Sequence, residues 1–335
     1  MQRISILMVT GLLVASGLSA QDKKVLYLSR LGPSVSQRMR SAVPNVTLID
    51  GDQTKVAEQL ADVDGVIGSV SPALLAKAPK LKWIQAESAG VENYTFLPGF
   101  ADSGITLTNC KIVQGPEIAD HALGLLLALT RGIAIAARNS KGEFNQRAFS
   151  PIELRGKTAL IIGVGGIGTQ IAERLHASGM TVIGVDPKDM PYTTYLARTV
   201  APDRLDSVIP LADVVLVSAP LTPRSRKMMG PRQFELMKQN SYFIAVSRGG
   251  LYDTDALVKA LDSKKLAGAG VDVTDPEPLP PGHALWKFPN VVITPHIAGR
   301  SDGENARYEE LFTENLRRFA ANEPLLNVVD KAKGY

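Results

Sequence analysis

The sequence predicts an α/β protein built from two parallel-sheet domains. Three observations carry that prediction. Strand-like and helical segments alternate from Lys24 onward, the pattern of βαβ units. The apolar segments after residue 157 are continuous Val/Ile/Ala/Gly runs rather than alternations, as strands covered on both faces are. The chain of 335 residues is long enough for about two domains, each with its own core.

In the first half, "KVLYLS" (24–29), "VTLID" (46–50), "VDGVIGS" (63–69) and "LKWIQAES" (81–88) read as strands with helical segments between them. A long helical stretch follows from about Glu117 to Lys141. Its run Ala122–Leu129 is too short to span a bilayer and reads as a buried helix. The second half supplies six strands: "TALIIG" (158–163), "TVIGVD" (181–186), "VVLVSA" (214–219), "YFIAVS" (242–247), "GAGVDV" (268–273) and "VVITP" (291–295). A helix from about Arg300 to Ala321 closes the pattern.

Composition narrows the function classes. The chain is 45% hydrophobic and 21% charged with a net charge of +4, and its basic residues form no cluster larger than Arg317-Arg318. Nucleic acid is not indicated, whereas an anionic small molecule suits mild basicity. A single cysteine, Cys110, excludes an internal disulfide and any cysteine-cluster metal site. The first 20 residues stand apart: Arg3, an uncharged stretch from Ile4 to Ala20, then Gln21-Asp22-Lys23-Lys24. That is the layout of a secretory signal peptide cut after Gly17 or Ala20, with no stable membrane insertion once it is removed. The expectation is export to the periplasm or medium; the alternative is a cytoplasmic protein with a frayed, apolar N-terminus.

"LIIGVGGIGTQIAERL" places Gly163, Gly165 and Gly168 as G-x-G-x-x-G between a strand and a helix. A lone match is weak, but here the next strand ends in Asp186, 18 residues past Gly168, which completes the unit. Glycines there allow a tight turn and close approach of backbone to a pyrophosphate. The helix N-terminus, through Gly166 and Ile167, would offer free N–H groups to it. Asp186 would accept hydrogen bonds from the adenosine ribose and repel a 2′-phosphate, so the expected cofactor is NAD rather than NADP.

Ligands of open α/β sheets bind beyond the carboxyl ends of the strands. Three of those ends carry Arg248, the pair Asp272 and Glu277, and His296. A guanidinium grips a carboxylate and polarises a carbonyl oxygen; an imidazole passes a proton to that oxygen as hydride arrives from a nicotinamide; a carboxylate beside the imidazole fixes its tautomer and favours its charged form. Each residue alone also has a structural reading as a surface charge, a loop charge or a capping histidine. His121, His176 and His283 lie in helical or Pro-rich segments and read as structural.

At this point the chain resembles the D-isomer-specific 2-hydroxyacid dehydrogenases. The carrying motifs are "GKTALIIGVGGIGTQIA", "VVLVSAPLTPRSR", "FIAVSRGGLYDTDAL", "GAGVDVTDPEPLP" and "HALWKFPNVVITPHIAG", and the match covers nearly everything after residue 23. The resemblance implies a Rossmann-type cofactor domain over 116–296 and a discontinuous, flavodoxin-like substrate domain over 21–115 and 297–335, paired as a homodimer. It implies Arg248, Glu277 and His296 as the catalytic residues. Asp272 and the backbone near Val246 would hold the nicotinamide end, and backbone N–H groups around Ala89 and Gly90 would hold the substrate carboxylate. Glu277 departs from the formate dehydrogenase branch, which carries glutamine there. The "HALW" stretch is loosely similar to glyoxylate/hydroxypyruvate reductases, and 335 residues are too few for the regulatory domain of long phosphoglycerate dehydrogenases. The expected activity is NAD-dependent interconversion of small 2-keto and 2-hydroxy acids. The competing expectation is an exported NAD-binding scaffold or sensor with little turnover.

Overall fold

The computed structural model describes residues 23–138, 142 and 149–335. The expected signal peptide, residues 1–20, lies outside the described residues, as does the end of the expected long helix at 139–141.

Two parallel sheets organise the chain. The first has β1 (Lys23–Leu28), β2 (Val46–Asp50), β3 (Gly65–Gly68), β4 (Trp83–Gln85) and β5 (Thr106–Thr108), in the order β2-β1-β3-β4-β5. The second has β6 (Thr158–Ile162), β7 (Thr181–Val185), β8 (Arg198–Val200), β9 (Val214–Val217), β10 (Ser241–Ala245), β11 (Leu266–Val271) and β12 (Val291–Ile293). Its order is β12-β11-β10-β9-β6-β7-β8, so the strand order reverses beside β6, where such sheets bind ligands. The expected α/β class and its two-domain, Rossmann-type architecture are present. Each sheet adds one strand that the sequence did not announce, β5 and β8. Their residues, Thr-Leu-Thr in β5 and Arg-Thr-Val in β8, hold no apolar run to register.

Each sheet is covered on both faces. In the second, Leu160, Ile162, Val217 and Phe243 pack with the Thr254–Asp262 helix on one side. Ile161, Leu216 and Ile244 pack with Ala122, Leu125 and Leu129 of the Gly115–Thr130 helix on the other. The last helix, Glu304–Ala321, returns to the first sheet and buries Tyr308, Phe312 and Leu316 against Val25, Tyr27 and Trp83. Among the described residues no helix is long and apolar enough to cross a membrane.

The expected helix from Glu117 to Lys141 is shorter than its hydropathy suggested. It runs from Gly115 to Thr130, and Gly132 then adopts a left-handed conformation, φ 71°, before a single further turn at Ile133–Ala137. Glycine takes that conformation without a Cβ clash and ends helices for that reason. The stop signal was Gly132 itself, inside an otherwise helical stretch.

Candidate active site

The glycine loop joins β6 to the Gly166–Ala177 helix. Gly163 has φ 92°, and a Cβ there would stand 2.5 Å from the Ala219 backbone. A Cβ on Gly168 would stand 1.9 Å from the Gly163 carbonyl oxygen. Both positions therefore require glycine for close packing of loop, helix and neighbouring strand. Gly165 differs: a Cβ there would meet nothing within 4 Å. No side chain caps this helix, which leaves its first N–H groups, those of Gly166 and Ile167 among them, without a side-chain acceptor. The loop thus fits an anionic group without rearrangement. Asp186, one residue past β7, receives the Val164 amide on Oδ2 and the Lys188 amide on Oδ1, both at 2.9 Å. Those two bonds aim its carboxylate at the mouth of the loop. The nicotinamide dinucleotide for which these residues are suited supplies hydride when bound.

β10, β11 and β12 are adjacent and parallel, so Arg248, Asp272 and His296 emerge from one edge. Neighbouring strands lie about 4.8 Å apart, which puts all three within side-chain reach of a small substrate. The Arg248 turn also packs on the turn leading to Glu277: a Cβ on Gly249 would stand 2.0 Å from the Thr274 carbonyl. Val246, at the end of β10, is buried, its amide bonded to the Val217 carbonyl at 3.2 Å.

His296 has φ 52°, a left-handed conformation that costs a non-glycine residue roughly 1–2 kcal/mol. Asp272 holds it there. Its carbonyl accepts the His296 amide at 2.9 Å, and its carboxylate accepts the Ile297 and Ala298 amides, each at 3.0 Å. The Thr294 hydroxyl donates to Asp272 Oδ1 at 2.6 Å. Asp272 is buried, 2% exposed, so these charge-assisted bonds offset a desolvation cost that would otherwise expel it. The imidazole Nδ1 then lies 2.6 Å from Glu277 Oε1, an interaction that assigns the proton to Nδ1 and leaves Nε2 for a substrate.

Arg248 reaches across to the first domain. Its Nε donates to Glu92 and its Nη1 donates to the Ser247 carbonyl at 2.8 Å. Nη2 lies against Gly90, where an added Cβ would meet it at 2.0 Å. The structure therefore brings Arg248 onto the Ala89–Gly90 loop, which the Asn109 side chain pins by donating to the Ala89 carbonyl at 2.8 Å. The loop and the guanidinium thus lie side by side, a pairing of the kind that can bind a carboxylate.

Three residues of this arrangement escaped the sequence reading. Glu92 begins a one-turn helix, Glu92–Thr95, and reads as an ordinary first-turn acid. Thr294 reads as one more β-branched strand residue. His121, expected to be structural, does face the edge: its Nε2 lies 2.9 Å from Thr294 Oγ1 and 3.5 Å from Asp272 Oδ1. Because the Thr294 proton goes to Asp272, the bond needs His121 Nε2 to be the donor. His176 and His283 are not part of the site; His283 Nδ1 accepts the Leu285 amide at 3.2 Å and caps a turn.

Comparison with known proteins identifies the family. The profile of the family described as "D-isomer specific 2-hydroxyacid dehydrogenase, NAD binding domain" matches residues 123–298. A glyoxylate reductase of Thermofilum pendens is 30% identical over 309 residues, 87% of this chain and 90% of that protein. A D-3-phosphoglycerate dehydrogenase of Methanocaldococcus jannaschii is 32% identical over 288 residues, 82% of this chain but 53% of that protein, so the chain spans about half the length of that relative. Among solved structures, a D-isomer specific 2-hydroxyacid dehydrogenase of Xanthobacter autotrophicus in complex with NADPH and MES superposes with a TM-score of 0.82 at 25% identity. It covers 94% of this chain and 100% of its own. An NADPH-dependent glyoxylate/hydroxypyruvate reductase of Sinorhizobium meliloti, in complex with NADP and sulfate, gives 0.79 at 28%, covering 93% and 100%.

Proposed function

The chain belongs to the D-isomer-specific 2-hydroxyacid dehydrogenases, and from that membership we propose that it reduces small 2-keto acids to D-2-hydroxy acids with NADH. The observation that carries the reading is the pairing of His296 Nδ1 with Glu277 at 2.6 Å, on the same sheet edge as an arginine held against Gly90. The Ala89–Gly90 amides and Arg248 Nη2 bind the substrate carboxylate. Arg248 also polarises the keto oxygen, where negative charge develops. As the imidazolium, His296 donates its Nε2 proton to that oxygen while the carbonyl carbon is reduced; as the neutral ring, protonated on Nδ1, it takes the proton back on Nε2 when the hydroxy acid is oxidised. Glu277 keeps the ring oriented through both directions. Asp272 holds the turn that presents the ring and, with the backbone near Val246, borders the nicotinamide end.

NAD is favoured over NADP by Asp186, even though the two solved relatives named above were determined with NADPH or NADP. The substrate domain comprises 21–115 and 297–335 and the cofactor domain 116–296, a division supported by the return of the last helix to the first sheet. A homodimer is proposed from the family alone. Export rests on the composition of residues 1–20; protein from the native cell should begin near Leu18 or Gln21, and an intact leader would refute it.

NADH oxidation measured with glyoxylate, hydroxypyruvate and pyruvate tests the activity. Turnover with at least one of them is expected. NADH binding without turnover on any small 2-keto acid would refute the enzyme and leave the scaffold or sensor.

A further inference from the structure

We propose that residues 327–335, carried by the first domain, complete the cofactor site of the second, with Tyr335 forming part of the adenosine pocket. The segment is anchored firmly. Asn315 of the last helix bonds the Leu326 amide at 2.7 Å and the Leu326 carbonyl at 3.1 Å. Val328 then bridges antiparallel to Thr108 on β5. The Val329 amide donates to the Leu107 carbonyl at 2.8 Å, and the Asn109 amide to the Asn327 carbonyl at 3.1 Å. Val329 is buried in the core beneath, and Lys331 Nζ donates to the Ile105 carbonyl at 2.9 Å.

Beyond this anchor the chain turns back on itself. The Gly334 and Lys333 amides donate to the Asp330 carbonyl at 2.8 and 3.1 Å, and the Asp330 amide donates to the Tyr335 carbonyl at 3.1 Å. The closed turn stands between the domains. A Cβ on Gly334 would lie 3.5 Å from Thr222 Cγ2, in the loop after β9, and 3.7 Å from Thr95 Oγ1, in the first domain. From there the Tyr335 ring lies over the Lys188 ammonium, 5.2 Å from its centroid. Lys188 is bonded through its amide to Asp186, the carboxylate assigned to the ribose. Partial burial, then the nearby Asp186 charge, raise the Tyr335 phenol above its ordinary range.

An aromatic face beside a ribose-binding carboxylate is what an adenosine pocket uses: flat apolar surface around a few polar groups. The cation–π contact with Lys188 holds that face in place, and the ring, not the hydroxyl, makes it. The consequence is that the first domain contributes to dinucleotide affinity at the end far from the chemistry. The proposal rests on the assignment of Asp186 to the ribose, so the test carries Asp186→Ala beside the tyrosine variants.

NADH alone, titrated by its fluorescence into Tyr335→Ala, Tyr335→Phe and Asp186→Ala, reads the pocket without turnover. Tyr335→Ala should raise the Kd about 5-fold, and Tyr335→Phe should stay within about 2-fold of wild type. ADP-ribose, which lacks the nicotinamide, should show the same loss, and the melting temperature of the cofactor-free protein should not move. If Asp186→Ala weakens binding and Tyr335→Ala leaves it unchanged or tighter, the proposal falls alone. If neither variant weakens binding, the ribose assignment falls and takes the proposal with it.

Discussion

Arg248 and Gly90 meet across the boundary between the two sheets so closely that one methyl group at position 90 would stand 2.0 Å from the guanidinium. Gly90→Ala should therefore push Arg248 off the loop. The displaced group is the end of a flexible side chain, so the fold survives. The expected result is at least a 10-fold loss of kcat/KM for the keto acid, about 1.4 kcal/mol, with little change in melting temperature or NADH affinity. An unchanged kcat/KM would mean that Arg248 does not grip the substrate beside Gly90.

The proposed preference for NAD rests on Asp186. Its carboxylate, held by the Val164 and Lys188 amides, stands where a 2′-phosphate would bring a second negative charge. NADH should be preferred over NADPH by at least about 10-fold in kcat/KM. Equal use of the two cofactors would contradict the role given to Asp186.

Thr294 is a positioning residue. Its hydroxyl donates to buried Asp272 at 2.6 Å and links that carboxylate to His121. Thr294→Val keeps the shape and removes the bond. Stability should fall by about 1–3 kcal/mol, seen as a lower urea midpoint, and kcat should fall with it as the His296 turn loosens. A variant with wild-type midpoint and kcat would show that the backbone bonds alone hold the turn.

Glu87 gives a pH signature. Burial raises its carboxyl above the ordinary range, and the Ser29 hydroxyl, the Arg30 amide and the Arg30 charge counter this only in part. The native state thus keeps the proton to higher pH than the unfolded chain. Stability is fully present below the unfolded-state value near pH 4 and declines as pH rises through the native value. Glu87→Gln removes the decline, so the variant should melt higher than wild type at pH 7, and the two should converge toward pH 4. A difference that stays constant with pH would contradict the assignment.

Much of this architecture was legible in the chain. Apolar runs marked the central strands, the glycine loop sat where its spacing put it, and Arg248, Asp272, Glu277 and His296 stood at strand ends before any coordinate was known. What the sequence hid is what no local pattern encodes. Glu92 lies 156 residues from Arg248, and Tyr335 nearly as far from Lys188; such pairs come from the return of the chain between domains. His121 reads as structural, and its bond to Thr294 appears only once the neighbouring strand is beside it. β5 and β8 were invisible because Thr-Leu-Thr and Arg-Thr-Val contain no apolar run.

The central claim is that His296 transfers the proton while the glycine loop separately holds the cofactor. His296→Asn tests it most directly, by measuring kcat for keto acid reduction and hydroxy acid oxidation alongside the NADH Kd. The account predicts a loss of about 10²–10⁴-fold in both directions with the Kd within about 2-fold of wild type, since Gly163–Gly168 and Asp186 lie on other strands. A variant that still turns over at the wild-type rate, or that loses NADH binding together with activity, would contradict it.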